Sequence, residues 1–180
     1  MAELAQYQPE GETAERMGRL KGVRFTPGMV FSVEKEPVGP EAAGAVLVLQ
    51  GTLADPGKAQ QFWARAATTL EAALEAKGFI RLIGFGDGPD NYALAFWRTI
   101  EDAEAYAKQL PHRDAVKELH ATGNQYSHFA SLFEAPRQRK RHIFCDQCGV
   151  QNDVQERCAQ CGNPLVDSFQ RPETVVPASA

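Results

Sequence analysis

The chain has 180 residues, 43% of them hydrophobic and 23% charged, with a formal net charge of −4. That length suits one ordinary domain with a small satellite, and that composition excludes wholesale disorder. The acidic balance argues against non-specific nucleic-acid binding. No apolar run approaches the roughly 20 residues of a membrane span, and the opening MAELAQYQPEGE has no basic or apolar region of a signal peptide, so no membrane association and a cytoplasmic location are expected.

Residues 1–22 are polar and glycine-containing; they read as a largely mobile tail with a short helix near 14–20. Residues 23–38 are too apolar for a free tail, with Phe25, Met29, Val30, Phe31 and Val33. They read as an arm that docks on the core or on a partner subunit and could add a strand over 29–34. The glycines and proline of 39–44 make a linker.

The central stretch opens at Ala45 with an aliphatic, β-branched run to Thr52 that suits a strand. Asp55 and Pro56 start a helix, one as cap and the other where a missing N–H costs nothing; Ala59, Phe62, Trp63, Ala66, Leu70, Ala73 and Leu74 follow at helical spacing and Gly78 stops it. Residues 79–85 and 92–97 predict a hairpin joined by the turn residues 86–91. A second helix begins at Thr99, turns Ala103, Tyr106, Ala107 and Leu110 inward, and breaks at Pro111. A short helix over 113–121 ends at Gly123, and 125–133 alternates polar and apolar residues like a strand. The order β-α-β-β-α-β is the ferredoxin-like arrangement.

The Pro-started helix, the GFIRL strand, Trp97 closing the third strand, the acidic second helix and the Pro111-His112 step together resemble an antibiotic-biosynthesis-monooxygenase-type domain. The resemblance covers about half the chain. It implies an α+β fold whose sheets pair as a dimeric α/β barrel, hence a homodimer, with a pocket between sheet and helices. It further implies a cofactor-independent monooxygenase acting on a small aromatic or polyketide-like molecule, with no organic cofactor. Such a pocket needs apolar walls and a group that favours the substrate anion. Trp63, Phe85, Phe96, Trp97, Tyr106, Phe129 and Phe133 can supply walls, although aromatics at this spacing more often make plain core. The catalytic candidates are His112, Trp97, Tyr126 and His128, the last two sharing a strand face; His112 could serve as acid, base or anion clamp, or simply line a helix start. Arg81 and Asn91 are weaker candidates, and His120, near a helix C-terminus, reads as a favourable dipole contact. A haem-degrading branch shares the fold, but Gln50, Tyr106 and the flanking His112 and His120 depart from its pattern.

Cys145-Asp-Gln-Cys148-Gly149 and Cys158-Ala-Gln-Cys161-Gly162 carry all four cysteines. Two CxxC turns can bring four thiolates within tetrahedral reach of one Zn2+, and the trailing glycines allow the tight backbone turns. The pattern resembles short zinc-ribbon modules. Four sulfurs leave no position open for water, so the zinc would be structural; redox-active pairs are the alternative. The expected organisation is therefore 1–43 tail and arm, 44–135 ferredoxin-like domain, 136–142 basic linker, 143–169 zinc ribbon and 170–180 disordered tail. The basic run Arg137–His142 reads as a solvated linker. Beside the enzyme stands a second reading: a non-catalytic small-ligand-binding or regulatory protein whose ribbon meets a protein partner. Haem binding is a third.

Overall fold

The computed structural model describes residues 9–20, 24–26, 30–122, 125–135 and 142–166. Helix α1 is Gly11–Gly18; the strands β1 (Arg24–Thr26), β2 (Val30–Glu34) and β3 (Ala45–Leu53) follow, then helix α2 (Ala59–Glu75). Strands β4 (Phe79–Asp87) and β5 (Asp90–Trp97) precede helices α3 (Ile100–Ala107) and α4 (Leu110–Thr122); β6 is Gln125–Glu134, with β7 (Ile143–Phe144) and β8 (Gln151–Asn152) last. The chain divides into two compact units, Met1–Glu36 with Ala43–Pro136, and Pro37–Ala42 with Arg137–Ala180.

In the larger unit the sheet order is β1-β2-β4-β5-β3-β6, with every pairing antiparallel. The last four strands of that order, with α2 between β3 and β4 and α3–α4 between β5 and β6, make the ferredoxin-like α+β fold. Period two in the strands sets two faces. Trp97, Ala95, Ala93 and Asn91 of β5 stand in register with Ala45, Leu47, Leu49 and Gly51 of β3, and these rows face the helices. Phe96 and Leu94 stand with Val46 and Val48 on the other face.

The helices form where their ends are closed. Asp55 accepts from Lys58 N at 3.1 Å through its carboxylate, heading a 3-10 turn, Pro56–Lys58, from which α2 grows. Thr99 Oγ1 accepts from Asp102 N at 3.1 Å at the start of α3. Gly78, at φ +72°, turns the chain from α2 into β4 in a conformation that a Cβ would strain. Gly84 has a different reason: a Cβ there would lie 2.3 Å from the Phe31 ring, which needs that space to pack edge-on against Trp63 with centroids 5.7 Å apart.

Three expectations are corrected. The first is the N-terminus, where residues 9–20 are docked: Met17 is fully buried, and Arg16 grips Glu71 of α2 through Nε at 2.7 Å and Nη2 at 2.5 Å. Next, the hairpin is tighter than residues 86–91 suggested, because both strands run on to Asp87 and Asp90 and Gly88, at φ +59°, makes the turn with Pro89. Pro111, third, does not break a helix: α3 already ends at Ala107, and Pro111 sits in the first turn of α4, where its missing N–H has no partner to lose. Leu110 is therefore not inward but 61% exposed. The strand expected in the arm is β2, which pairs with β4 from Val30↔Phe85 to Glu34↔Arg81, and β1 adds a second strand at the edge. The expected tail over 170–180, Gly123 and most of the basic run lie outside the described residues.

Candidate functional site

A cavity of about 190 Å³ lies between the inner sheet face and helices α2, α3 and α4. Its floor is Leu47 and Leu49 of β3 with Ala93, Ala95 and Trp97 of β5, and the alanines leave depth that larger side chains would fill. Phe62, Trp63, Ala66 and Thr69 of α2 stand over it; Tyr106, His112 and Val116 close one side. Asn91 and His128 also line it, on a row whose middle member, Gly51, has no side chain. Gln50, Phe85 and Tyr92 contribute from the opposite parity of their strands.

Within this apolar enclosure the polar groups are few and defined. Trp97, 1% exposed, is stacked obliquely on Tyr106 with centroids 5.0 Å apart, and among the described residues nothing accepts a hydrogen bond from its indole N–H. An orphaned buried donor of this kind costs about 1–3 kcal/mol. Tyr106 donates its hydroxyl to Thr69 O at 2.7 Å; burial pushes its pKa far above the usual phenol range, so it is a fixed wall and not a proton carrier. His112 lies against the other side of Tyr106, again with centroids 5.0 Å apart. Burial lowers its pKa below 6.5, opposed by the bond from Nδ1–H to Ala107 O at 3.3 Å. A carbonyl only accepts, so the neutral ring carries its proton on Nδ1 and keeps a lone pair on Nε2. Arg65 pairs with Glu118, which also accepts from Gln61 Nε2 at 3.0 Å, tying α2 to α4 beside the cavity.

Of the residues singled out from sequence, the structure brings Trp97, His112, His128 and Asn91 to one cavity. The side chains of Tyr126 and His120 lie outside the described residues. Arg81 is not in the lining: it is buried and paired with Glu34 at 2.8 Å. Phe96, Phe129 and Phe133 are not walls either: Phe96 and Phe133 stand in the row of Val46 on the opposite sheet face, and Phe129, in register with Gln50, lies outside the lining. Sequence reasoning missed Phe31, Phe62 and the Arg65–Glu118 pair. Helical period marks Phe62, but nothing local links Arg65 with a partner 53 positions on.

In the smaller unit the sulfurs of Cys145, Cys148, Cys158 and Cys161 all lie within 4.8 Å of one another, and no disulfide joins them. Cys145 and Cys161, and Cys148 and Cys158, are 3.6 Å apart across the two CxxC turns. Gly149 and Gly162 take φ +71° and +73°, and their N–H groups donate to the carbonyls of Cys145 and Cys158 at 2.8 and 2.9 Å. The Cys158 thiolate is favoured first by the N–H of Cys161, then against desolvation by that of Gln160. Four sulfurs about 2.3 Å from a common centre would stand roughly 3.8 Å apart, so these residues fit one tetrahedral ion and could hold it.

No family model matches the sequence, and no curated protein does. Solved structures similar to the chain include a conserved protein from Methanosarcina mazei Go1, with 12% identity and TM-score 0.47, covering 53% of this chain and 95% of that one. SnoaB, a cofactor-independent oxygenase from Streptomyces nogalater, has 18% identity and TM-score 0.44, covering 54% of this chain and 97% of its own. An anthrone oxidase-like protein has 11% identity and TM-score 0.43, covering 59% and 54%. None of these likenesses assigns a role to a residue here. The chain is a ferredoxin-like α+β protein with an apolar cavity and a separate four-cysteine cluster able to bind a metal.

Proposed function

We propose that the cavity oxidises a small aromatic compound with O2 and no organic cofactor. The observation that carries this reading is a half-buried imidazole, held neutral with Nε2 free to accept, sharing an apolar cavity with the unpartnered indole N–H of Trp97. Together they suit a substrate that must lose a proton and hold the resulting charge on an oxygen. An anthrone serves as the test compound: Nε2 of His112 takes a proton from the ring CH2, the Trp97 N–H donates to the carbonyl oxygen as charge builds there, and the carbanion supplies electrons to O2. One oxygen atom of O2 ends in the new carbonyl and the other in water.

The test is oxygen uptake with dithranol by the full chain and by His112→Ala. Faster uptake than the uncatalysed background, lost in the variant with its melting temperature retained, supports the proposal. Equal uptake by both overturns it. Dithranol that quenches tryptophan fluorescence without any uptake supports the second reading, a ligand-binding protein. A Soret shift on haem addition supports the third.

The four cysteines are assigned to a structural Zn2+ in a zinc ribbon, because all the ligand positions of a tetrahedral ion would be filled by sulfur. A folded metal loop of this kind suits contacts with a protein partner. The larger unit is assigned to a homodimer that pairs sheet faces into a barrel, and the protein to the cytoplasm, where free thiols persist.

A further inference from the structure

Among the described residues the buried polar or charged side chains are Arg81 and Asn152. Asn152 ends β8 in the cysteine-bearing unit, is 4% exposed, and makes more than one bond with each end of its amide. Nδ2 donates to Val150 O at 2.8 Å and lies 3.5 Å from Ile143 O and 3.7 Å from Cys158 Sγ. Oδ1 accepts from Ala159 N at 2.9 Å and from Gln155 Nε2 at 3.2 Å. One buried amide thus joins the strand before the first CxxC turn, the residue after that turn, and both the sulfur and the following backbone of the second.

The chemistry of the two Nδ2 hydrogens makes this more than packing. One is spent on Val150 O, and the other has Ile143 O at a long distance and the sulfur of Cys158 within reach of an N–H···S contact. A thiol sulfur is a weak acceptor, whereas a thiolate draws a donor strongly. Binding a cation requires that Cys158 be a thiolate, so the contact strengthens in the loaded state. We propose that Asn152 is a positioning residue of the metal centre: it fixes the Cys158 sulfur against the first CxxC turn and stabilises its charge, raising affinity for a thiophilic divalent ion. This rests on the reading of the four cysteines as a metal site.

Co2+ titration of the reduced full chain, with a chromophoric chelator as competitor, separates the two ideas. Wild type without thiolate-to-cobalt charge transfer and the d–d bands of a tetrahedral ion overturns the metal reading itself. If those bands form, Asn152→Ala and Asn152→Asp are expected to bind cobalt about 10- to 100-fold more weakly, with the charge-transfer band moved to lower energy as the sulfur loses its donor. Asn152→Asp is the decisive variant, because it is isosteric and keeps the acceptor for Ala159 N while replacing the donor with an anion; it should lose at least as much as the alanine variant. Gln155→Ala, which touches the amide and Arg157 O but is not bonded to a sulfur, should remain near wild type. Wild-type affinity in Asn152→Asp, or weaker binding with an unmoved band, overturns the role at sulfur.

Discussion

His112 shows how one side chain's surroundings decide its chemistry. Position 112 is a histidine one step after a proline, and neither fact sets its protonation. Burial against Tyr106 does, by disfavouring the imidazolium, while the carbonyl of Ala107 fixes the tautomer. The sign follows for both rate and stability. A base lost by protonation below 6.5 predicts dithranol oxidation that is flat at neutral pH and falls only in more acidic solution, with an apparent pKa under 6.5. The unfolded chain binds the proton at about 6.5 and the folded one only at lower pH, so stability is complete above 6.5 and declines as pH falls toward the folded value. A pH–rate profile and melting temperatures over the same range check this. A midpoint above 6.5 in the rate contradicts His112 as the base. Trp97 and His112 were legible through a resemblance, a Trp closing the third strand and a Pro-His step, and both line the cavity. The donor left open at Trp97 was not, since partners are a property of three dimensions.

At the scale of elements, what could be read was what is local. Asp55, Thr99 and Gly78 act on neighbours within a few residues, and they mark helix starts and a turn as expected. What failed depended on distance. Nothing in residues 9–20 reveals that α2 offers Met17 a buried seat and Arg16 a carboxylate, so the short helix expected near 14–20 reads as part of a mobile tail when it is docked. Two changes separate those contributions. Met17→Ala should cost about 2–5 kcal/mol, the range for truncating a fully buried side chain. Glu71→Gln removes the ion pair with Arg16, whose partners are 35% and 41% exposed, and after screening by water should cost about 0–1 kcal/mol. Urea denaturation of both variants decides whether burial or charge holds α1. Equal losses would mean the pair matters far more than its exposure allows. The same ion pair keeps the Glu71 carboxylate below its ordinary value of 4.5, so its small contribution is present above 4.5 and disappears as pH falls through the folded pKa.

For the molecule as a whole, the apolar surface that needs cover lies on the outer face of the sheet. An antiparallel sheet with helices on one side commonly turns polar residues to the other. Here the register instead sets Phe133, Val46 and Phe96 in one row and places Val48 beside Leu94 in the next, with Phe129 beyond. Phe129 and Phe133 are 50% and 51% exposed. A stable pair of copies needs about 800 Å² from each partner, and the isologous contact of a two-fold axis would bring this face against itself. The full chain is therefore expected to run as a dimer at micromolar concentration. Phe133→Glu should dissociate it, because the two-fold axis brings a second copy of each new carboxylate to the same apolar face, where a charge without a partner is costly to bury. Light scattering coupled to size exclusion reads the mass of both proteins. A monomeric wild type would remove the barrel and leave these phenylalanines to another partner, whereas a dimer indifferent to Phe133→Glu would place the contact elsewhere on the subunit.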